Sequence, residues 1–383
     1  MSEKAKAGGE KTSADLLRSA QRLVVKIGSA LLVEEKSGDI RHEWLESLAA
    51  DLAEGVARGQ EVIVVSSGAI AAGRRLLGLP QRRLKLEEKQ AAAATGQIRL
   101  AHAYQEALAH HGVTVAQVLL TLEDTEARRR HLNARNTLNT LLKHRALPVI
   151  NENDTVATSE IRVGDNDRLA ARVAAMMNAD ALILLSDIDG LYTADPKLDP
   201  AASHLALVEK LTPEIEAMAG EALPGVSTGG MVTKRAAARI AVAAGCRMAI
   251  ANGTRAHPLR AILEGARCTW FLSDVEPRAA RKSWIAGSLK PVGGVVVDEG
   301  ALRALRNGRS LLPAGVKSVE GDFQRGDALI VKDLEGREVG RGLSAYNAAD
   351  ARRIIGHNSR DIEKLLGYRG REELIHRDDL VLS

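Results

Sequence analysis

Two lysines and a series of short polar turns are the residues of this chain that could do chemistry. Lys26-Ile27-Gly28-Ser29 puts an ammonium group next to a glycine and a hydroxyl. The ammonium can neutralise phosphate, and a glycine lets a phosphate approach the backbone. The ordinary alternative is a lysine that snorkels from the end of a buried strand. Thr228-Gly229-Gly230-Met231-Val232-Thr233-Lys234 precedes an alanine-rich run and describes an anion cradle at a helix entrance. It is not a Walker A loop: Gly225 and Gly230 have the right gap, but Met231 follows where that loop requires Lys. Nor is there a protein-kinase HRD and DFG set.

Between the lysines lie groups suited to a small zwitterion. Asn151-Glu152-Asn153-Asp154 and Gly164-Asp165-Asn166-Asp167 are dense in carboxylates and carboxamides. Carboxylates hold an ammonium and amide N–H groups hold a carboxylate, which together match an amino acid. Asp165 and Asp167 could instead bind Mg²⁺ directly, and a solvated turn with an Asp helix cap is the plain alternative. Ser66-Ser67-Gly68 opens a run that reads as a helix, whose free N–H groups could hold an anion or merely receive a hydroxyl cap. A GxSxG nucleophile is absent, because Val65-Ser66-Ser67-Gly68 lacks the leading glycine. Ser186-Asp187-Ile188-Asp189-Gly190 fails the EF-hand pattern and suits a ribose or phosphate contact from Ser186 or Asp187.

The elements that must carry these groups are short apolar runs: Leu23–Val25, Val62–Val65, Val113–Leu120, Leu147–Ile150, Ala181–Leu185 and Met248–Ala251. They alternate with helical stretches over 42–58, 86–111, 125–145, 166–178 and 229–244. The pattern predicts an α/β fold with an open, mostly parallel sheet and helices on both faces. Lys26-Ile27-Gly28-Ser29, Ser66-Ser67-Gly68, the Asn151 turn, Ser186-Asp187 and Asn252-Gly253 all follow the carboxyl end of such a run. In a parallel sheet those ends share one edge, where ligands bind. Helix 86–111 carries a 3.6-residue apolar pattern through Leu86, Ala93, Ile98, Leu100 and Leu108.

Residues 1–20 are polar, have no apolar signal core and contain three acidic residues, which argues against a transit peptide. They read as a mobile tail, followed by a catalytic-type domain over 21–275. A charged segment rich in Gly and Pro over 276–291 reads as a linker, and short strands and turns over 292–383 read as a small β-rich domain.

Composition narrows the function classes. In 383 residues, 53 Lys+Arg against 49 Asp+Glu leave a net charge of +4, which suits anionic small molecules. Aromatics are 2% of the chain, too few for a broad base-stacking surface. No apolar run is long enough for a membrane helix. Cys246 and Cys268 lack CxxC spacing, which excludes a disulfide framework and a cysteine zinc site and fits a reducing cytoplasm. No pair of the ten histidines has metal-ligand spacing, so no metal ligand and no catalytic His is assigned.

The series VVKIGSALL, VIVVSSGAIAAG, VINENDTVATSEIRVGDND, LLSDIDGLYTADP and TGGMVTK resembles the glutamate 5-kinases of the amino acid kinase family. The resemblance covers about residues 21–383, with the motifs in the family's order. Residues from VDEGALRAL to DALIVKD resemble a PUA domain, giving a small barrel. The resemblance implies ATP-dependent phosphorylation of the γ-carboxylate of L-glutamate, with Mg²⁺ and feedback inhibition by proline. It also implies a homo-oligomer, tetramer or dimer, and a γ-glutamyl phosphate reductase that takes the labile product. It assigns Lys26 and Lys234 to the phosphates and Asp167 to organising them. Ser67, Asn151, Asp154 and Asn166 are assigned to glutamate. Gly28, Ser186, Asp187 and Thr228, Gly229, Gly230, Met231, Val232, Thr233 and Lys234 are assigned to ATP. Ala170 departs from the pattern, where a small hydroxyl residue is expected. A related kinase with another acceptor, or an RNA-binding protein acting through the PUA-like domain, are the alternatives.

Overall fold

A computed structural model describes residues 11–34, 36–80, 82–157, 165–196, 198–218, 230–277, 279–282 and 290–382. Its contacts divide the chain into two compact units, residues 1–125 with 134–277 and residues 126–133 with 278–383.

The first unit is built on an eight-stranded sheet. Its strands are β1 (Arg22–Ile27), β2 (Glu61–Val65), β3 (Val115–Leu120), β4 (Leu147–Glu152) and β5 (Ala181–Ser186). The strands Leu191–Tyr192 (β6) and His204–Leu205 (β7) form a separate hairpin. Leu207–Val208 (β8), Arg247–Asn252 (β9) and Cys268–Phe271 (β10) complete the sheet in the order β3-β4-β2-β1-β5-β9-β10-β8. From β3 to β9 the neighbours run parallel, and β10 is antiparallel to β9. β4 and β5 are buried at every position, which is why their apolar runs are continuous rather than alternating.

Strand periodicity divides the core in two and decides what Lys26 meets. Val25, Ile27, Val64, Ile183 and Leu185 pack with Leu45, Leu48 and Leu52 of helix His42–Ala57 and Leu100 and Tyr104 of helix Leu86–Ala109. Val24, Ile63, Val65, Leu182 and Leu184 point to the other face. There they meet Leu169, Val173 and Met177 of helix Asp165–Met177 and Ala237, Ala238 and Ala241 of helix Met231–Ala243. Lys26 is two residues beyond Val24, so it points to this second face. Ala170, where a hydroxyl residue was expected, is fully buried in this layer.

Two sequence expectations fail. The expected tail is structured in its second half: Ser13–Arg18 is a helix with a capping box at Thr12. Leu16 and Leu17 are buried in the core, and Gln60 Nε2 donates to Leu17 O at 3.1 Å and Ala20 O at 2.7 Å. The polar composition around those two leucines concealed an amphipathic turn. Ile98, read as a core position, is 74% exposed. The buried stripe of its helix runs through Ala92, Ala93, Gly96, Leu100, Ala103, Tyr104 and Ala107, which leaves Ile98 on the opposite side.

The second unit has its own five-stranded sheet of β11 (Gly293–Val297), β12 (Val316–Gly321), β13 (Ala328–Lys332), β14 (Glu338–Ser344) and β15 (Ile375–Leu382). Their order is β12-β11-β13-β14-β15, over a core that includes Val295, Phe323, Leu329, Ile354 and Ile375. No helix among the described residues is long and apolar enough to cross a membrane. Cys246 and Cys268 are free and buried, and burial pushes both thiols up.

Candidate active site

The carboxyl ends of β1, β2, β4, β5 and β9 share one edge, with Lys26 beside Val65 and Leu184 and with Ser186 beside Asn252. Two helices begin at that edge against the second face. Asp167 lies in the first turn of helix Asp165–Met177, and Lys234 in the first turn of helix Met231–Ala243. Lys234, Ala237, Ala238 and Ala241 form that helix's buried stripe, so the spacing that packs the helix also turns Lys234 inward.

The three charged groups converge. Lys26 Nζ lies 2.6 Å from Asp167 Oδ1, and Lys234 Nζ lies 3.8 Å from Asp167 Oδ2. The hydroxyl of Thr233 donates to Asp167 Oδ2 at 2.8 Å. Asp167 is 1% exposed, Lys26 7% and Lys234 6%. Two ammonium groups face one carboxylate in a nearly dry place. Burial pushes the Lys234 ammonium below the ordinary lysine value; Asp167 opposes that shift, Lys26 adds to it, and Asp187 opposes it. Two ammonium groups held side by side are a setting in which charge-assisted hydrogen bonds to a phosphate form. Gly28 borders it: a Cβ there would lie 4.0 Å from Lys26 Nζ.

Polar groups from β2, β4 and the start of helix Asp165–Met177 form a second cluster. Asn166 Nδ2 donates to Ser67 Oγ at 3.0 Å and to Asn151 Oδ1 at 3.3 Å. Asn151 Nδ2 donates to Gln97 Oε1 at 2.7 Å, and the Glu152 N–H donates to Asn151 Oδ1 at 2.9 Å. Asn166 Oδ1 is buried and has no hydrogen-bond partner among the described residues. Both N–H bonds of Asn166 are used, so the group left open is an acceptor, suited to a cation. Asn166 and Asp167 are adjacent in sequence, which joins this cluster to the lysines.

The structure thus brings Lys26, Asp167, Thr233 and Lys234 together, and likewise Ser67, Asn151 and Asn166. Asp154 is buried in the turn after β4. The Ser186 hydroxyl donates to Asp187 Oδ1 at 2.9 Å. Gly230 caps helix Met231–Ala243, and Met231 and Val232 are half-buried, with Met231 against the second core layer. Thr233 is spent on Asp167 and on Gly230 O. Thr228, Gly229, Gly164 and the Asp165 side chain lie outside the described residues.

Two supporting residues escaped sequence reading. Tyr104 is fully buried with its hydroxyl 3.0 Å from Ser66 Oγ, and burial pushes its phenol up. Gln97 sits on the long helix that crosses Ala69–Arg74, where Gly73 and Gly96 meet with no room for a side chain. A Cβ at Gly96 would overlap Ala69 O, so this glycine is required for the approach. A glycine within an otherwise helical Ala-Ala-Thr-Gly-Gln run was the available signal.

Residues 21–252 match the amino acid kinase family and residues 293–366 match the PUA domain. A protein of Paramagnetospirillum magneticum named Glutamate 5-kinase is 67% identical over 96% of this chain and 99% of its own length. One of Rhodospirillum rubrum with the same name is 63% identical over 94% of this chain and 96% of its own.

Proposed function

The chain belongs to the amino acid kinase family, among its glutamate 5-kinases, and we propose that it transfers the γ-phosphoryl group of ATP to the γ-carboxylate of L-glutamate. The observation that carries this reading is the convergence of Lys26 and Lys234 on Asp167 beside a polar cluster with one open acceptor.

In this reading ATP lies along Lys26, Gly28, Ser186, Asp187 and the turn Thr228–Lys234. Glutamate lies against Ser67, Asn151, Asp154 and Asn166. Asn166 Oδ1 receives the α-ammonium, while the Ser67 hydroxyl, already accepting from Asn166, keeps its proton to donate to the α-carboxylate. The γ-carboxylate is ionised at neutral pH, so the attack needs no general base. One carboxylate oxygen forms a bond to the γ-phosphorus as the bond to the β,γ-bridging oxygen breaks. ADP leaves, and no proton moves. The protein supplies alignment and positive charge for a loose transition state. Lys26 and Lys234 provide the charge, and Asp167 keeps both ammonium heads in place.

One Asp167 oxygen lies against the Lys26 ammonium, and the other accepts from Thr233 and faces Lys234. Mg²⁺ would enter with ATP and neutralise part of the triphosphate's charge. The same reading carries proline as feedback inhibitor, a homo-oligomeric enzyme in the cytoplasm and a reductase as consumer of the acyl phosphate. The RNA-binding alternative is not favoured, since the relatives match along both domains.

Hydroxylamine traps acyl phosphates, so an ATP-dependent hydroxamate assay reports reaction type and acceptor together. L-Glutamate should give hydroxamate. ADP release with aspartate, acetylglutamate or UMP, and neither ADP release nor hydroxamate with glutamate, would overturn the assignment.

A further inference from the structure

The polar cluster contains a chain of amide orientations whose first member touches none of the proposed reacting groups. The Glu152 backbone N–H can only donate, so the Asn151 atom 2.9 Å away must be its carbonyl oxygen. Asn151 therefore turns its NH₂ toward Gln97, and the Gln97 atom 2.7 Å away must be an acceptor. The Asn166 atom facing Asn151 Oδ1 must in turn be a donor, at 3.3 Å. What remains of Asn166 is its carbonyl oxygen, buried and without a partner among the described residues. Each amide is read from a neighbour with only one possible role, and the sequence ends at the acceptor proposed for the substrate ammonium.

We infer that Gln97 is a positioning residue for amino-acid recognition: the Glu152 N–H orients the Asn151 amide, and Gln97, by accepting from its NH₂, holds that amide in the place from which it orients Asn166. The inference rests on the glutamate reading above and extends it to a residue on another element. Without the Gln97 acceptor, a buried NH₂ of Asn151 is left unpaired, and such a group turns to find a partner. The Glu152 N–H opposes a full flip, so the unpaired NH₂ draws Asn151 out of place, and the 3.3 Å bond that helps orient Asn166 is lost, leaving Ser67 alone to hold it. Gln97 is held for this task by the Gly73–Gly96 crossing, which sets the long helix against the strand-end turns.

The test compares Gln97→Leu, Gln97→Met and Gln97→Glu in the full-length chain by hydroxamate formation, with thermal unfolding as a check that each folds. Leu and Met cannot accept; Glu can. Loss of one hydrogen bond to a charged group corresponds to about ten-fold or more in affinity. For Gln97→Leu and Gln97→Met the KM for glutamate should rise by about that factor, with kcat and the KM for ATP changed less than about two-fold. Gln97→Glu should keep the glutamate KM within about three-fold of wild type. Glutarate, which lacks the α-amine, should be turned over by Gln97→Leu as poorly or as well as by wild type. Unchanged glutamate KM in both apolar variants, equal loss in Gln97→Glu, or parallel loss of kcat and ATP binding would overturn the inference. A wild-type protein that makes no glutamyl hydroxamate would instead refute the glutamate reading.

Discussion

Asp167→Asn replaces one carboxylate oxygen by an amide and leaves the size of the side chain almost unchanged. The substitution removes one negative charge from beside two ammonium groups. At 3.8 Å and an effective dielectric constant of about 20, the attraction lost between Asp167 and Lys234 is roughly 4 kcal/mol. The loss at Lys26, 2.6 Å away, is of the same order or larger. Lys234 already has a lowered pKa from burial, and Asp167 is the largest influence opposing that shift. Its removal lowers the pKa further. The protonated lysine is the active form, so activity is present below this pKa and lost as pH rises through it. The alkaline fall in kcat should therefore move to lower pH in the variant, and mild acid should restore part of the rate. With Lys234 less well charged and both lysines less well placed, kcat at neutral pH should fall about 10²–10³-fold. The KM for ATP should not rise, because the triphosphate itself returns negative charge to the site. Initial rates of hydroxamate formation across pH, with saturating ATP and glutamate, measure all three quantities. A variant with wild-type kcat and an unmoved alkaline fall would refute the assignment of Asp167.

Lys26→Ala and Lys234→Ala should each lower kcat by about 10²–10³ in the same assay, as removal of one transition-state charge donor does. Asp154→Ala should chiefly raise the KM for glutamate in steady-state kinetics; a rise confined to the KM for ATP would mean that the two subsites are reversed. Gly96→Ala puts a Cβ into the backbone of helix Ala69–Arg74, 2.6 Å from Gly73 N. It should cost about 1–3 kcal/mol, read as a lower Tm, and should also raise the glutamate KM because Gln97 shifts with its helix.

The parts of the site that could be read from the sequence are those set by local rules. Continuous apolar runs gave β1, β2, β4, β5 and β9, and the polar residues after them gave the edge on which Lys26, Ser67, Asn151 and Ser186 lie. Strand alternation placed Lys26 with Val24, and helix spacing placed Lys234 with Ala237 and Ala241. What could not be read depends on contacts between distant segments. Gln97 meets Asn151 across 54 positions, on a helix that approaches Ala69–Arg74 closely at Gly73 and Gly96. The Thr233 hydroxyl, read in the sequence only as part of a glycine-rich turn, also donates to Asp167, 66 positions away. Ile98 fits an apolar helix pattern, yet the sheet lies on the other side. The helix Ser13–Arg18 was hidden because its two buried leucines are too few to stand out in a polar stretch.

Isotope transfer offers the most direct test of the substrate carboxylate as nucleophile. With ¹⁸O in the γ-carboxylate of L-glutamate, attack on the γ-phosphorus makes that oxygen the bridge of the acyl phosphate. Cyclisation of the product, in which the α-amine attacks the acyl carbon, then breaks the carbon–oxygen bond and releases phosphate with the label. The ³¹P spectrum should show phosphate carrying one ¹⁸O for each 5-oxoproline formed; unlabelled phosphate appearing at the rate of ATP loss would mean that water, not the carboxylate, accepts the phosphoryl group.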